Sequence, residues 1–175
     1  MVESRLNRQK GSLKEPPRPM EIDLEHFKKN YLVVGLSDGD ILKIAALAKL
    51  KIVKQGTEIA KLGVKDPDLY VILDGTAMVY RKGGALLGER GPGSVIGEIA
   101  LVDDQPRSAY VVSKGPMSYA HLDGKELRKF MFQNKEIGFI MLSNLSRVLS
   151  ARLREASETI EDLHGQIGDP WEFAD

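Results

Sequence analysis

A length of 175 residues suffices for one domain with helical extensions and is too short for two full domains. Because the 25 basic and 25 acidic side chains balance, no overall field draws the chain to DNA, RNA or an anionic membrane. The absence of cysteine excludes disulfides, thiolate metal sites and cysteine nucleophiles, and the three histidines, His26, His121 and His164, show no metal-ligand spacing.

The first 20 residues are predicted to form a flexible basic arm. Their charged side chains are mostly Lys and Arg, and the segment ends in the proline-rich run Pro16-Pro17-Arg18-Pro19, which stops a helix. A solvated tail is the simpler interpretation, and a docking element is the alternative.

From Ile22 to Ala48 the apolar spacing becomes helical. Ser37, which precedes Asp38-Gly39-Asp40, is typical of a helix N-cap. The apolar residues that follow it share one broad face: Ile41, Leu42, Ile44, Ala45, Leu47 and Ala48. We therefore expect a helix packed on the domain that comes next.

Residues 50–122 are rich in strands. Short β-branched and apolar runs alternate with Gly-containing turns about every ten residues, which favours an antiparallel sandwich or roll over a parallel sheet. The strands are expected at residues 51–53, 69–73, 76–80, 85–90, 109–112 and 117–122. Asp74-Gly75 predicts a hairpin between the second and third of these.

One segment, residues 97–109, interrupts the strand pattern. Gly97 leads into a short helix whose first N–H groups have no intrahelical partner and make a small anion site. Arg107 adds a rigid fork of donors suited to a phosphate. Glu98 does not suit a phosphate, so it is expected to accept a hydrogen bond from a neighbouring hydroxyl. A phosphate beside a sugar hydroxyl describes a nucleotide.

Residues 123–167 return to helical spacing. Asp123 is expected to cap a helix through Phe132, and Asn134 a second, longer helix. The longer helix carries an apolar seam with heptad steps: Leu149, Leu153, Ala156, Ile160, Leu163 and Ile167. A parallel homodimer is favoured over packing within one chain. The acidic tail that follows contains Trp171 and Phe173, and it either docks elsewhere or folds back over the domain.

Together these elements predict an α+β fold. Its centre is an antiparallel, jelly-roll-like β-roll with an N-terminal helix, a phosphate-binding cassette helix and two C-terminal helices. The expected divisions are the arm at 1–20, the roll with its flanking helices at 21–133, the long dimerisation helix at 134–167 and the acidic tail at 168–175.

The order of these elements and two short motifs resemble the cyclic nucleotide-binding domain family. The motifs are Gly97-Glu98-Ile99-Ala100-Leu101 and Pro106-Arg107-Ser108-Ala109, supported upstream by Gly91-Pro92-Gly93. Members of the family include the catabolite activator protein, the regulatory subunit of protein kinase A and gated ion channels. The resemblance spans residues 24–163.

The resemblance implies a role for each motif residue. Glu98 would accept from the ribose 2′-hydroxyl, and Arg107 would pair with the cyclic phosphate, aided by Ser108 and the N–H groups of Ile99 and Ala100. Gly97 would let the backbone approach the sugar, and the pocket would also include Val95 and Ala109. A residue of the long helix would cap the base, with Arg152, Glu155 and Ser157 as candidates. The ligand is expected to be cAMP, with cGMP possible and a cyclic dinucleotide as a third option.

Simpler interpretations of the motif remain open at this point. Glu98 would also suit a helix start through the helix dipole alone, and Arg107 would also form a surface pair with Asp103 or Asp104. The sequence shows no nucleophile, metal site or acid–base pair, so no enzyme and no cofactor are expected.

We expect the protein to act through partners. Few residues follow Leu163 and they are acidic, so no DNA-reading domain is expected. Without an apolar membrane span or secretory signal, the chain is expected in the cytoplasm, away from membranes. The expected partners are a second copy of the chain and an unidentified effector protein. The alternative is a dimeric scaffold whose nucleotide pocket is vestigial or filled by its own tail.

Overall fold

The helices that precede the roll are shorter than the sequence predicts. The structure, a computed structural model, describes residues 22–167, so the predicted arm and acidic tail lie outside the described residues. Helix α1 (Leu24–Phe27) is followed by a 3-10 turn (Tyr31–Val33) and helix α2 (Asp38–Ala45). Ser37 caps α2 as predicted, because its hydroxyl accepts from the N–H of Asp40 at 3.2 Å. Ala48 already belongs to the first strand.

The described residues contain eight strands in two antiparallel sheets. The strands are β1 (Ala48–Val53), β2 (Glu58–Ala60), β3 (Leu69–Asp74), β4 (Ala77–Tyr80), β5 (Leu86–Arg90), β6 (Val95–Ile96), β7 (Tyr110–Ser113) and β8 (Met117–Leu122). One sheet has the order β1-β8-β3-β6 and the other β2-β7-β4-β5. This arrangement confirms the predicted antiparallel roll.

The hairpin predicted at Asp74-Gly75 is wrong. Strand β3 pairs with β6 and β8, whereas β4 pairs with β5 and β7, so the turn carries the chain from one sheet to the other. Gly75 has φ +82°, and a Cβ there would meet the Met117 Cβ at 2.5 Å. The β7–β8 connection, a second crossing between the sheets, therefore packs against the first. An Asp-Gly pair specifies a tight turn but does not specify which sheet the next strand joins.

Strand β3 is buried on both faces, and this explains its continuous apolar sequence. Tyr70 and Ile72 point into the roll between the two sheets. Leu69, Val71 and Leu73 point to the other side, where they pack against the helices. The C-terminal helices are thus fixed to the sheet that also carries the cassette strand β6.

Two helices follow the roll. Helix α4 (Gly124–Gln133) is capped by Asp123, as predicted, and α5 (Lys135–Ile167) begins after Asn134. The first part of α5 is anchored by the buried side chains of Met141 and Leu145. Beyond residue 149 its described side chains are exposed, except for the half-buried Arg152. With 33 residues α5 is about 50 Å long. Across residues 22–167, no helix combines the length and apolar character that crossing a membrane requires.

Candidate functional site

A cavity of about 210 Å³ opens at the segment that the sequence singles out. It lies between the β2-β7-β4-β5 sheet and helix α3 (Glu98–Asp103), the cassette helix. All eight residues predicted to bind the ligand line it: Val95, Gly97, Glu98, Ile99, Ala100, Arg107, Ser108 and Ala109. The fold therefore brings the two halves of the motif to one wall, and Arg152 of α5 joins them.

Gly97 occupies the N-cap position of α3 with φ +94°, in the left-handed region that favours glycine. A Cβ at this position would overlap the Arg107 guanidinium and the Asp68 carbonyl oxygen. Gly97 is therefore required twice, once for the backbone turn into α3 and once for the close approach of Arg107.

Arg107 is the most constrained polar group of the cavity, with a side chain that is 4 % exposed. Its Nε and Nη2 atoms donate to Asp66 Oδ2 at 3.1 and 2.8 Å, and Nη2 also donates to the Asp68 carbonyl at 2.5 Å. The guanidinium carbon lies 5.2 Å from the centroid of the Tyr70 ring. The surface pairing of Arg107 with Asp103 or Asp104 does not occur; Asp104 instead pairs with Lys65 at 2.9 Å.

One donor of Arg107 is left without a partner. Nη1 is buried, and it forms no hydrogen bond with any residue that the structure describes. A buried cationic donor without an acceptor is costly, so this position favours an anionic ligand atom. The N–H groups of the first turn of α3, which lack intrahelical acceptors by helix geometry, lie in the same wall. The arrangement fits a phosphate.

Glu98 is a buried carboxylate, 6 % exposed, in the wall of the same cavity. Arg152 Nη1 donates to its Oε1, and this charge compensates the burial of Glu98. Oε2 accepts no hydrogen bond from the described residues. The helix dipole alone does not account for its burial or for its contact with Arg152, and the unpartnered oxygen is able to accept a hydrogen bond from a ligand hydroxyl.

Of the three predicted base-capping residues, Arg152 alone lines the cavity. Glu155 and Ser157 are exposed, and the Ser157 hydroxyl donates to the Leu153 carbonyl of its own helix at 3.0 Å. Arg152 therefore stays the capping candidate with a structural basis.

Sequence reasoning missed the residues that hold Arg107. Asp66 and Asp68 lie in the loop before β3, and no motif marks them. Asp68 also accepts from the Gly124 N–H at 3.0 Å and contacts His121 Nε2 at 2.6 Å, so the support of Arg107 extends to the start of α4. The one available signal was indirect: a buried arginine needs a carboxylate partner.

The ionisation of Asp66 follows from its neighbours. Burial acts to raise the pKa of its carboxyl group, but hydrogen bonds from Arg107, the Asp68 N–H and the Tyr70 hydroxyl outweigh it, so the net pKa is lowered. Asp66 therefore stabilises the fold at pH values above its unfolded pKa, and this contribution is lost as the pH falls through its folded pKa.

Asp66→Asn tests this support of Arg107. At neutral pH we expect the free energy of unfolding to fall by about 1–3 kcal/mol, because a charge-assisted pair is removed. Since Asn does not titrate, the difference in the free energy of unfolding between the wild type and the variant should narrow as the pH falls from about 7 to about 3. Denaturant unfolding at a series of pH values measures this. A difference that stays constant with pH would contradict the assignment; other carboxylates titrate equally in both proteins.

Helix α3 is also tied to α4. Arg128 Nη1 donates to the Leu101 carbonyl at 3.0 Å, and its second nitrogen lies 3.6 Å from Asp104 Oδ1. Arg128 thus holds the carboxyl end of the cassette helix, where the exposed carbonyls favour a cation. No group of three or more His, Cys, Asp or Glu side chains is placed to bind a metal among the described residues.

Comparison with known proteins agrees with this geometry. A family model described as the cyclic nucleotide-binding domain matches residues 50–134. The catabolite activator protein of Thermus thermophilus has 25% sequence identity and a TM-score of 0.69, over 77% of this chain and 63% of that one. A cyclic nucleotide-binding domain from Methylobacillus flagellatus has 23% identity and a TM-score of 0.71, over 81% and 84%.

Two further similarities cover a smaller part of the matched protein. The regulatory domain of Toxoplasma gondii PKA, solved with cAMP, has 20% identity and a TM-score of 0.60, over 75% of this chain and 48% of that one. Glutaminase 2 of Bradyrhizobium diazoefficiens is 24% identical over 136 residues, 78% of this chain. This chain spans 22% of the glutaminase and less than two thirds of the Thermus protein. The family model, the sheet order and the motif agree, and residues 50–134 of this chain match the cyclic nucleotide-binding domain.

Proposed function

We propose that this chain is a cyclic mononucleotide sensor that binds cAMP in preference to cGMP and acts on a partner protein. The observation that carries the proposal is that Arg107 and Glu98 line one cavity, and that neither the buried Nη1 of Arg107 nor the Oε2 of Glu98 has a hydrogen-bond partner among the described residues. A cyclic nucleotide supplies the matching pair of groups, an anionic phosphate and a ribose hydroxyl.

Each wall of the cavity has a part in this binding mode. The phosphate lies against Arg107 Nη1, Ser108 and the N–H groups of Ile99 and Ala100. The 2′-hydroxyl donates to Glu98 Oε2. Val95 and Ala109 form part of the wall along the sugar and base, and Arg152 of α5 closes the open side.

The proposed signal is a rearrangement of α4 and α5. A phosphate that draws α3 toward Arg107 also moves the carbonyl groups that Arg128 holds, and so pulls on α4. For the ligand to shift the helices, it must bind one helix arrangement more tightly than the other. Contact between Arg152 and the ligand would provide this difference, since α5 carries that side chain.

Calorimetric titration of the full chain with cAMP and with cGMP tests the proposal. We expect saturable binding of one nucleotide per chain, tighter for cAMP, and no hydrolysis products after long incubation. The protein must first be freed of nucleotide carried over from expression, which is checked by chromatography of an acid extract. If neither ligand gives a binding signal, the dimeric scaffold is favoured. If binding then appears after deletion of residues 168–175, the tail occupies the pocket in the full chain.

We further propose that α5 forms a parallel homodimer. Leu149 is half-buried against the chain's own core, but Leu153 is 69 % exposed and Ile160 is 55 % exposed. Leu163 and Ile167, which continue the seam, lie where side chains are not described. Heptad-spaced apolar residues left exposed favour a partner helix.

Leu153→Glu combined with Ile160→Glu is expected to give a monomer, because the substitutions place like charges within the seam. Light scattering at tens of micromolar protein measures the mass. Ala151→Glu, on the opposite exposed face of α5, is the control and should remain dimeric. A wild-type protein that is already monomeric at this concentration would contradict the proposal.

A further inference from the structure

A second groove, of about 410 Å³, opens beside the nucleotide cavity. It lies between the 3-10 turn, the turn before β6 and helix α5. Its lining contains three cationic side chains, Lys29, Arg90 and Arg152, and no carboxylate from the described residues. Because Arg90, Arg152 and Val95 line both spaces, the groove and the cavity are adjacent.

Two of the three charges at this junction have no acidic partner among the described residues. Arg152 already binds Glu98. Among the described residues, no carboxylate oxygen lies within the 4.0 Å of an ion pair from Lys29 or Arg90. Arg90 donates to the carbonyl of Glu89 at 3.0 Å, while the Glu89 carboxylate pairs with Lys114 at 2.6 Å. Two positive charges therefore face the groove without a partner among residues 22–162.

Tyr31 is a neutral residue in the lining of the same groove. Its hydroxyl is buried and makes no hydrogen bond with the described residues. Burial and the nearby Glu98 carboxylate raise the pKa of the phenol, so it stays protonated at physiological pH and retains its proton for an acceptor.

The backbone around Lys29 is fixed. Gly93 has φ +82°, and a Cβ there would meet the Lys29 carbonyl oxygen at 3.1 Å and the Lys29 Cβ at 3.2 Å. This close packing places the main chain of Lys29 directly beside the turn before β6. The lysine is therefore held at the groove by its backbone, although its side chain is exposed.

We propose that this groove is a second phosphate subsite, adjacent to the nucleotide cavity. The inference rests on the proposed function. A cyclic mononucleotide carries one negative charge, which Arg107 binds, and so leaves Lys29 and Arg90 uncompensated. A second phosphate reaches the groove either within one ligand, as in a cyclic dinucleotide, or as a separate anion beside a mononucleotide.

Calorimetry on the full chain separates these two sources. The probes are cAMP, cyclic di-AMP, cyclic di-GMP and cAMP in the presence of millimolar pyrophosphate. We expect either a dinucleotide or the pyrophosphate mixture to bind at least about tenfold more tightly than cAMP alone, the effect of one charge-assisted contact. A gain with a dinucleotide identifies one ligand; a gain with pyrophosphate identifies a separate anion.

Lys29→Gln tests the subsite directly, since glutamine keeps a polar side chain, one atom shorter than that of lysine, and removes its charge. The substitution should abolish most of the gain in affinity that a second phosphate provides. The affinity for cAMP alone should stay within about twofold of the wild-type value, because Lys29 does not line the nucleotide cavity. Lys49→Gln, on an exposed lysine of β1, is the matched control and should change neither.

The outcomes distinguish the two proposals. Two results would overturn the second subsite and leave the mononucleotide sensor standing. One is binding of cAMP with no gain in affinity from either source of a second phosphate, and the other is an equal loss of affinity for all probes in Lys29→Gln. Binding of a dinucleotide without binding of cAMP or cGMP, with the loss in Lys29→Gln, supports the subsite and overturns the mononucleotide assignment. No binding of any probe overturns both.

Discussion

Arg107→Ala is expected to weaken cyclic nucleotide binding by about 2–5 kcal/mol, or roughly 30- to 5000-fold in affinity. The guanidinium is 4 % exposed, and its Nη1 atom is buried without a hydrogen-bond partner among the described residues. Its removal leaves the phosphate in a partly dry site without its countercharge. Calorimetric titration with cAMP, side by side with the wild type, measures the effect.

The control must separate lost binding from lost folding, because Arg107 also compensates Asp66. Removing the arginine alone leaves a half-buried carboxylate unpaired, which destabilises the protein. The double variant Arg107→Ala with Asp66→Asn should recover part of that stability and still fail to bind. If either variant binds cAMP with wild-type affinity, Arg107 does not bind the ligand.

Gly97→Ala is expected to have the second-largest effect, on both stability and binding. The backbone at this position has φ +94°, and the new Cβ would overlap the Arg107 guanidinium and the Asp68 carbonyl. Strain of about 1–3 kcal/mol follows from the backbone alone, and displacement of Arg107 adds to it. Thermal unfolding and nucleotide titration of the same preparation measure the two effects.

Gly56→Ala is the matched control for that substitution. Gly56 also has a positive φ, +76°, but a Cβ there would have no neighbour within 4 Å. The control should therefore lose stability through backbone strain and keep its nucleotide affinity. If both variants bind like the wild type, the close approach of Gly97 to Arg107 is not needed for the site.

The sequence allowed the cassette to be predicted because its constraints are local. The glycine, the carboxylate and the arginine lie within a dozen residues, and each has a chemical reason for its position. The support of Arg107 was not predictable in this way, since Asp66 is brought to it by the fold from 41 positions away. The contact of Arg152 with Glu98 spans 54 positions and depends on the rotation of α5, which residue spacing does not determine.

Among the strands too, local sequence patterns were predictable and long-range pairing was not. Strand β3 has an unbroken apolar sequence because both its faces are covered, and its position was predicted almost to the residue. Strand β6 has only two residues, too few for a visible alternation of apolar and polar side chains, and was not predicted as a separate strand. The failed Asp74-Gly75 hairpin has a different cause: sheet membership is decided by long-range pairing, about which a turn motif carries no information.

The bonds from Arg128 to the carboxyl end of the cassette helix have a consequence for any protein that binds this chain. Thermodynamic linkage is reciprocal: if nucleotide binding changes the affinity of α4 for another molecule by some factor, that molecule changes nucleotide affinity by the same factor. A protein that binds α4 would therefore also change the nucleotide concentration at which the pocket fills. If the proposed function holds, the nucleotide concentration that half-fills the pocket would be a property of the complex, and it would differ from one bound protein to the next.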